Sequence, residues 1–243
     1  MTAAASRVVI VNADDLGQSS GVNAGIAAAH EHGVVTSASL MVRWPAAREG
    51  AAYGHAHPSL SVGLHVDLGE WVYAGDRWSA LYEFDALDDR TQVRGEIMRQ
   101  LDAFRDLVGR DPTHLDSHQD VHEREPARSL MLALAQQLDI PLRNQTPSVR
   151  YCGDFYGQTA EGTPMPAGIS VDSLVSLLAE LPPGVTELAC HPGAADDLDG
   201  SMYRIERATE VETLCDRRVR KAIAAGEIEL HSFHDANGPW ATR

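Results

Sequence analysis

Short apolar, β-branched runs alternate along this chain with longer stretches of helical period. Arg7 to Asn12 reads as a strand buried on both faces, broken by Ala13-Asp14-Asp15-Leu16-Gly17. Gly21 to His32 follows as a helix with Val22, Ile26 and Ala29 on one face, stopped by Gly33. Val34 to Val42 predicts a second strand and Pro45 to His55 a helix. Leu60 to Asp67 predicts a third strand, whose alternation puts Ser61, Gly63, His65 and Asp67 on one face. Thr91 to Gly109 is the clearest helix, with Val93, Ile97, Leu101, Phe104 and Val108 as its stripe. A strand ending near His118, a helix from Glu125-Pro126 and a short strand Ile140 to Arg143 come next. Ser170 caps a helix through Leu181, and Val185 to Cys190 is a strand. One long helix from Tyr203 to Ala225 and a last strand, Glu227 to Phe233, close the pattern.

Two segments lack period: Leu68 to Asp89, carrying Trp71, Tyr73, Trp78, Tyr82 and Phe84, and Asn144 to Gly168, carrying Tyr151, Phe155 and Tyr156. Long connections of this kind are lids or binding loops, so loops are expected near 68–90 and 144–168. About seven strands, most followed by a helix and without an internal repeat, imply a parallel sheet with helical crossovers. Over 243 residues this predicts an α/β fold, a distorted or incomplete (β/α) barrel of the TIM-barrel type, as one catalytic domain spanning 1–243.

The unusual polar residues fall at predicted strand C-termini: Asp14 and Asp15, His65, His118, Arg143 and His191. In a barrel that rim is where active sites are built. The densest window, His114 to His122, reads His-Leu-Asp-Ser-His-Gln-Asp-Val-His and adds Asp116 and His122. One carboxylate and two imidazoles make a three-ligand site with open positions, the arrangement of catalytic metals. The second aspartate of the pair could take a proton from water, and His191 could protonate a leaving amine. Arg143 could stabilise an oxyanion or orient the base. Together these describe metal-assisted hydrolysis of an amide or ester. A GxSxG elbow, a Walker loop and a GxGxxG fingerprint are all missing, which excludes their chemistries.

Composition narrows the partners. With 20 Lys+Arg against 35 Asp+Glu, the net charge of −15 repels phosphate backbones and anionic lipid, so neither nucleic acid nor membrane is expected. A small neutral or cationic substrate fits better. Cys152, Cys190 and Cys215 show no CxxC spacing, and Met1 to Ser6 lacks the features of a signal peptide. Both observations predict a cytoplasmic protein.

Four motifs together resemble one family. Asn12-Ala-Asp-Asp-Leu-Gly17, Gly63-Leu-His65, Pro112-Thr-His-Leu-Asp-Ser-His118 with Val121-His122, and Glu187-Leu-Ala-Cys-His-Pro-Gly193 occur in the order and spacing of the YdjC-like carbohydrate deacetylases. The resemblance implies a distorted (β/α) barrel that removes acetyl groups from a small N-acetylated sugar of the N-acetylglucosamine or chitooligosaccharide type. It implies one divalent metal, zinc or magnesium first, with cobalt or manganese as alternatives. Asp15, His65 and His118 match its metal ligands, Asp14 its general base and His191 its general acid, with Arg143 beside them. His114, Asp116 and His122 are then cast as partners that orient the imidazoles. Gln119 and Asp120 stand where the family carries histidines, which keeps open a non-catalytic sugar-binding protein on this scaffold, and Asp116, Asp120 and His122 as extra ligands keep open a metal-dependent phosphoesterase. A homo-oligomer is also left open.

Overall fold

Strand β1 (Arg7–Leu16) lies at the centre of a seven-stranded parallel sheet in the computed structural model, which describes residues 6–194, 197–198 and 200–235. The short polar start, read above as no signal peptide, falls outside those residues except for Ser6. One edge of β1 pairs along its length with β8 (Gly184–Cys190), which in turn pairs with β7 (Val149–Cys152). The other edge is shared: Arg7 to Val9 pair with β9 (Ile228–Leu230), and Asn12 onward with β2 (Ser37–Leu40). Outward from β2 come β3 (Ser61–Val66) and β6 (Leu115–Ser117). The sheet curls into an incomplete barrel with helices around it, the architecture expected from the alternating pattern.

Helices form where their caps are written. In α1 (Ser20–Glu31) the Ser19 hydroxyl accepts from Val22 N, and in α3 (Arg90–Val108) the Asp89 carboxylate accepts from Thr91 N and Gln92 N. Gly109, at φ 76°, ends α3 in the left-handed conformation that glycine adopts without penalty. Helices α2 (Ala47–Ala56), α4 (Ala127–Leu138) and α5 (Val171–Glu180) follow in the chain as further connections between the strands.

The structure corrects four element readings. The predicted loop at 68–89 contains an antiparallel hairpin, β4 (Gly69–Ala74) and β5 (Arg77–Glu83). Its turn residues Gly75 and Asp76 both have positive φ, the geometry that matches the twist of a two-residue hairpin. Ile140 to Arg143 forms only a bridge, Leu115 to Leu142, because Pro141 has no N–H to donate to a ladder. The strand in that part of the barrel is β7, inside the segment read as irregular. The long C-terminal helix is two, α6 (Ile205–Cys215) and α7 (Arg217–Ala225), since Asp216 is extended and its carboxylate caps α7 at Arg218 N.

Two packing details set the site in place. A Cβ on Gly25 of α1 would sit 2.3 Å from Gly193 Cα, so the helix touches the loop after β8 backbone to backbone. Behind β3, the His114 ring occupies the space over Gly63, where a Cβ would come within 2.4 Å of it, and stacks on Phe233 at 4.0 Å. Burial pushes His114 down to about 4, and its Nε2 has no partner among the described residues.

Each detail makes a prediction. Gly to Ala inside a helix ordinarily stabilises by about 1 kcal/mol. Gly25→Ala should instead lower the urea midpoint, by about 1–3 kcal/mol of stability, because the neighbour is backbone and cannot rotate away. For His114 the unfolded chain, with an ordinary pKa near 6.5, takes up the proton first as pH falls. Its neutral burial therefore favours the fold above about 6.5, and that advantage fades toward pH 4. The urea-midpoint gap between wild type and His114→Gln should narrow from pH 7 to pH 4.5; a constant gap would refute this.

Candidate metal and catalytic site

Adjacent residues of a regular strand point to opposite faces, yet Asp14 and Asp15 line the same cavity. The cause is a bulge in β1. Ala13 pairs with Ala38 and Leu16 with Leu40, so β1 carries one residue more than β2 across that interval. Asp15 absorbs it at φ 67°, a conformation that aspartate tolerates better than most residues.

Each carboxylate is then held by its own buried arginine. Arg143, after the bridge at Leu142, donates to Asp14 Oδ2 at 2.6 Å and Oδ1 at 2.7 Å. The same guanidinium reaches Glu187 Oε1 at 2.8 Å and Asp116 Oδ2 at 2.9 Å. Arg207, from α6, donates to Asp15 Oδ2 at 2.6 Å. Burial works to raise both aspartates, but Arg143 overcomes it at Asp14 and lowers that group. Arg207 and His118 hold Asp15 well below the usual carboxylate range against the same burial.

The free oxygen of Asp15 faces the imidazoles. Its Oδ1 lies 3.3 Å from His65 Nε2 and 3.0 Å from His118 Nδ1. Asp15, His65 and His118 are all buried, and each offers a ligand atom within 4.8 Å of the others. Asp14, His65 and Asp116 form a second such group. His65 Nδ1 is 2.9 Å from Asp116 Oδ1, which outweighs burial and raises the His65 pKa well above normal. Burial likewise opposes but does not prevent the rise of His118 to about 9, driven by Asp15.

His191 follows β8 directly, with Nε2 3.7 Å from Asp14 Oδ2. Burial pushes it down to about 4, so it is neutral at rest. Its ring lies among Tyr156 and Tyr203, at 5.5 and 5.3 Å. These groups, with Trp71 and Trp78 of the hairpin, Tyr151 and Asp120, line a cavity of about 340 Å³, the scale of a small-ligand site.

The readings of the polar window now separate. Asp116 touches His65 and Arg143. His122 instead shares a hydrogen bond with Ser117 Oγ at 2.6 Å, and His114 one with Thr113 Oγ1 at 3.0 Å, so neither orients an imidazole directly. His231 and His234 pair with Glu229 and with Leu60 O, away from the cavity lining. Sequence reasoning missed Glu70, Glu187 and Arg207. Glu206, Arg207 and Glu210 recur at helical spacing and are buried, so charges on the inward stripe of α6 were the available signal.

The chain is 34% identical to a carbohydrate deacetylase of Geobacillus stearothermophilus, over 94% of this chain and 98% of the relative. It is 32% identical to a chitooligosaccharide deacetylase of Serratia marcescens, over 94% and 99%. The crystal structure of a candidate cellobiose-phosphate cleavage protein of Enterococcus faecalis superimposes with a TM-score of 0.76 at 26% identity, covering 94% of this chain and 98% of that one. A family 4 carbohydrate esterase from Streptomyces lividans, 14% identical over 93% of each chain, shares the fold at a TM-score of 0.55. The sequence profile of the family described as YdjC-like protein matches residues 8–225, and this chain belongs to that family.

Proposed function

We propose that this protein is a metal-dependent carbohydrate deacetylase that removes acetyl groups from a small N-acetylated sugar, of the N-acetylglucosamine or chitooligosaccharide type. The observation that carries the reading is the Asp15–His65–His118 group at the floor of a 340 Å³ cavity, with Asp14 and His191 beside it. Relatives named carbohydrate and chitooligosaccharide deacetylases support it. Of the two candidate ligand groups, the one around Asp15 fits a metal better. Asp14 and Asp116 are both committed to Arg143, whereas Asp15 Oδ1 faces only imidazole nitrogens. Asp15 would ligate through Oδ1 while Arg207 keeps Oδ2, with one nitrogen from each of His65 and His118. A divalent ion there, zinc or magnesium before cobalt or manganese, would acidify water and polarise the acetyl carbonyl.

The chain's own groups do the rest. Asp14, kept ionised by Arg143, removes a proton from the attacking water as it adds to the acetyl carbon. His191, neutral at rest and 3.7 Å from Asp14, can receive that proton. It passes it to the sugar nitrogen as the C–N bond breaks, leaving acetate and an amine. Arg143 orients the base, with three carboxylates engaging most of its N–H donors.

The same pairing counts against a phosphoesterase. The arginines lining the cavity among the described residues are Arg143 and Arg207, and both are paired with carboxylates rather than open to a phosphate. Gln119 and Asp120 leave the proposed ligands in place, so nothing favours a non-catalytic sugar-binding protein. No described helix is long and apolar enough to cross a membrane, and three free cysteines agree with work in a reducing cytoplasm.

Acetate release from N-acetylglucosamine oligomers, with zinc, cobalt or magnesium added, tests the reading. No release from any N-acetyl sugar, with metal bound, would end it. Asp14→Asn should cut turnover about 10²–10⁴-fold with metal content intact, whereas His65→Ala and His118→Ala should lose the metal. Arg143→Lys replaces a two-pronged grip with a point charge, so Asp14 should titrate higher. A base works above its pKa, so the acidic limb of the kcat/KM profile should move to higher pH; an unmoved limb would remove Arg143 from this role.

A further inference from the structure

The two imidazoles of the centre are flanked alike. His65 turns Nε2 toward Asp15 Oδ1 and Nδ1 toward Asp116. His118 turns Nδ1 toward Asp15 Oδ1, and its Nε2, buried and without a hydrogen-bond partner, faces Glu70 Oε2 at 3.8 Å. A carboxylate behind a ligating imidazole fixes its tautomer and raises its basicity. For His65 that carboxylate comes from β6, in the sheet. For His118 it comes from β4, in the hairpin, where Glu70 is buried at 4% exposure.

The residue after each partner makes the link between the two segments. Gln119, following His118, accepts from Trp71 N at 2.8 Å and donates to Trp71 O at 3.0 Å. Its side-chain amide thus pairs with the main chain of the residue following Glu70, as a neighbouring strand would. Gln119 and Asp120, at φ 48° and 53°, form a left-handed kink that leads the chain away from His118. The hairpin root is tied separately, where Asp67 accepts from Trp44 Nε1, Tyr82 Oη and Gly69 N.

We infer that Glu70 is a positioning residue for His118, delivered by the β4–β5 hairpin and held in place by the Gln119 clasp on Trp71. The inference rests on the metal-centre reading above. It makes the hairpin more than a wall for substrate. Trp71 and Trp78 line the cavity from the ribbon that also carries the carboxylate behind His118. Whatever seats against these rings is linked to metal affinity, and the linkage runs in both directions.

Zinc affinity, measured by competition with a chromophoric chelator and without substrate, tests this on the full chain. Glu70→Gln keeps the shape and should weaken zinc binding about 10–100-fold. Gln119→Ala should weaken it by a smaller factor and speed amide exchange at Trp71. Because Gln119 acts through Glu70, the double variant should bind no more weakly than Glu70→Gln alone. Wild-type affinity in Glu70→Gln, or a double-variant loss equal to the product of the single losses, would overturn the inference. Asp15→Asn separates the two readings: if it too kept wild-type zinc affinity, the metal centre itself would be misplaced.

Discussion

Two carboxylates on consecutive residues, both buried at the end of one strand, are the constraint around which the rest of the site is arranged. Left alone, such a pair would repel and take up a proton. Here each has its own guanidinium, and the two arginines come from separate segments far downstream of β1. Arg143 follows a bridged segment beside β6, and Arg207 sits in α6. The pair can exist only when the barrel wall and the C-terminal helix have both assembled around β1. Catalytic geometry and tertiary folding are therefore one condition in this molecule.

The division of labour within the pair follows from the same contacts. Both oxygens of Asp14 are engaged by Arg143, which leaves it a fixed, low-pKa acceptor. Asp15 is gripped at one oxygen only, and its other oxygen turns to two imidazoles. Chemically identical side chains acquire different surroundings through the number of donors each meets. The β1 bulge is what allows both to meet them, since without it one would face the opposite side of the sheet.

Much of this was legible in the sequence because strand ends announce themselves. Asp14, Asp15, His65 and His191 follow apolar runs, and the fold brings them to one rim with His118, as the alternating pattern implied. What stayed hidden depended on partners distant in the chain. Glu70 lay in a segment read as loop for its length and lack of period, although the Gly75-Asp76 turn was a hairpin signal within it. Arg207 was hidden by the habit of placing charge outside a helix, although its spacing with Glu206 and Glu210 marked an inward face. His114 and His122 show the opposite case. Proximity in sequence cast them as partners that orient the imidazoles, and in the structure their rings bond to Thr113 and Ser117.

The contact between Gly25 and Gly193 has a mechanical meaning. Side-chain packing absorbs small displacements by changing rotamers, but two glycine backbones in contact have none to change. A shift of α1 toward the loop that begins at His191 therefore meets backbone, with no side chain between to give way. The side of the cavity lined by His191 is thus set by backbone contact with a helix on the outside of the barrel, as a rigid joint would set it.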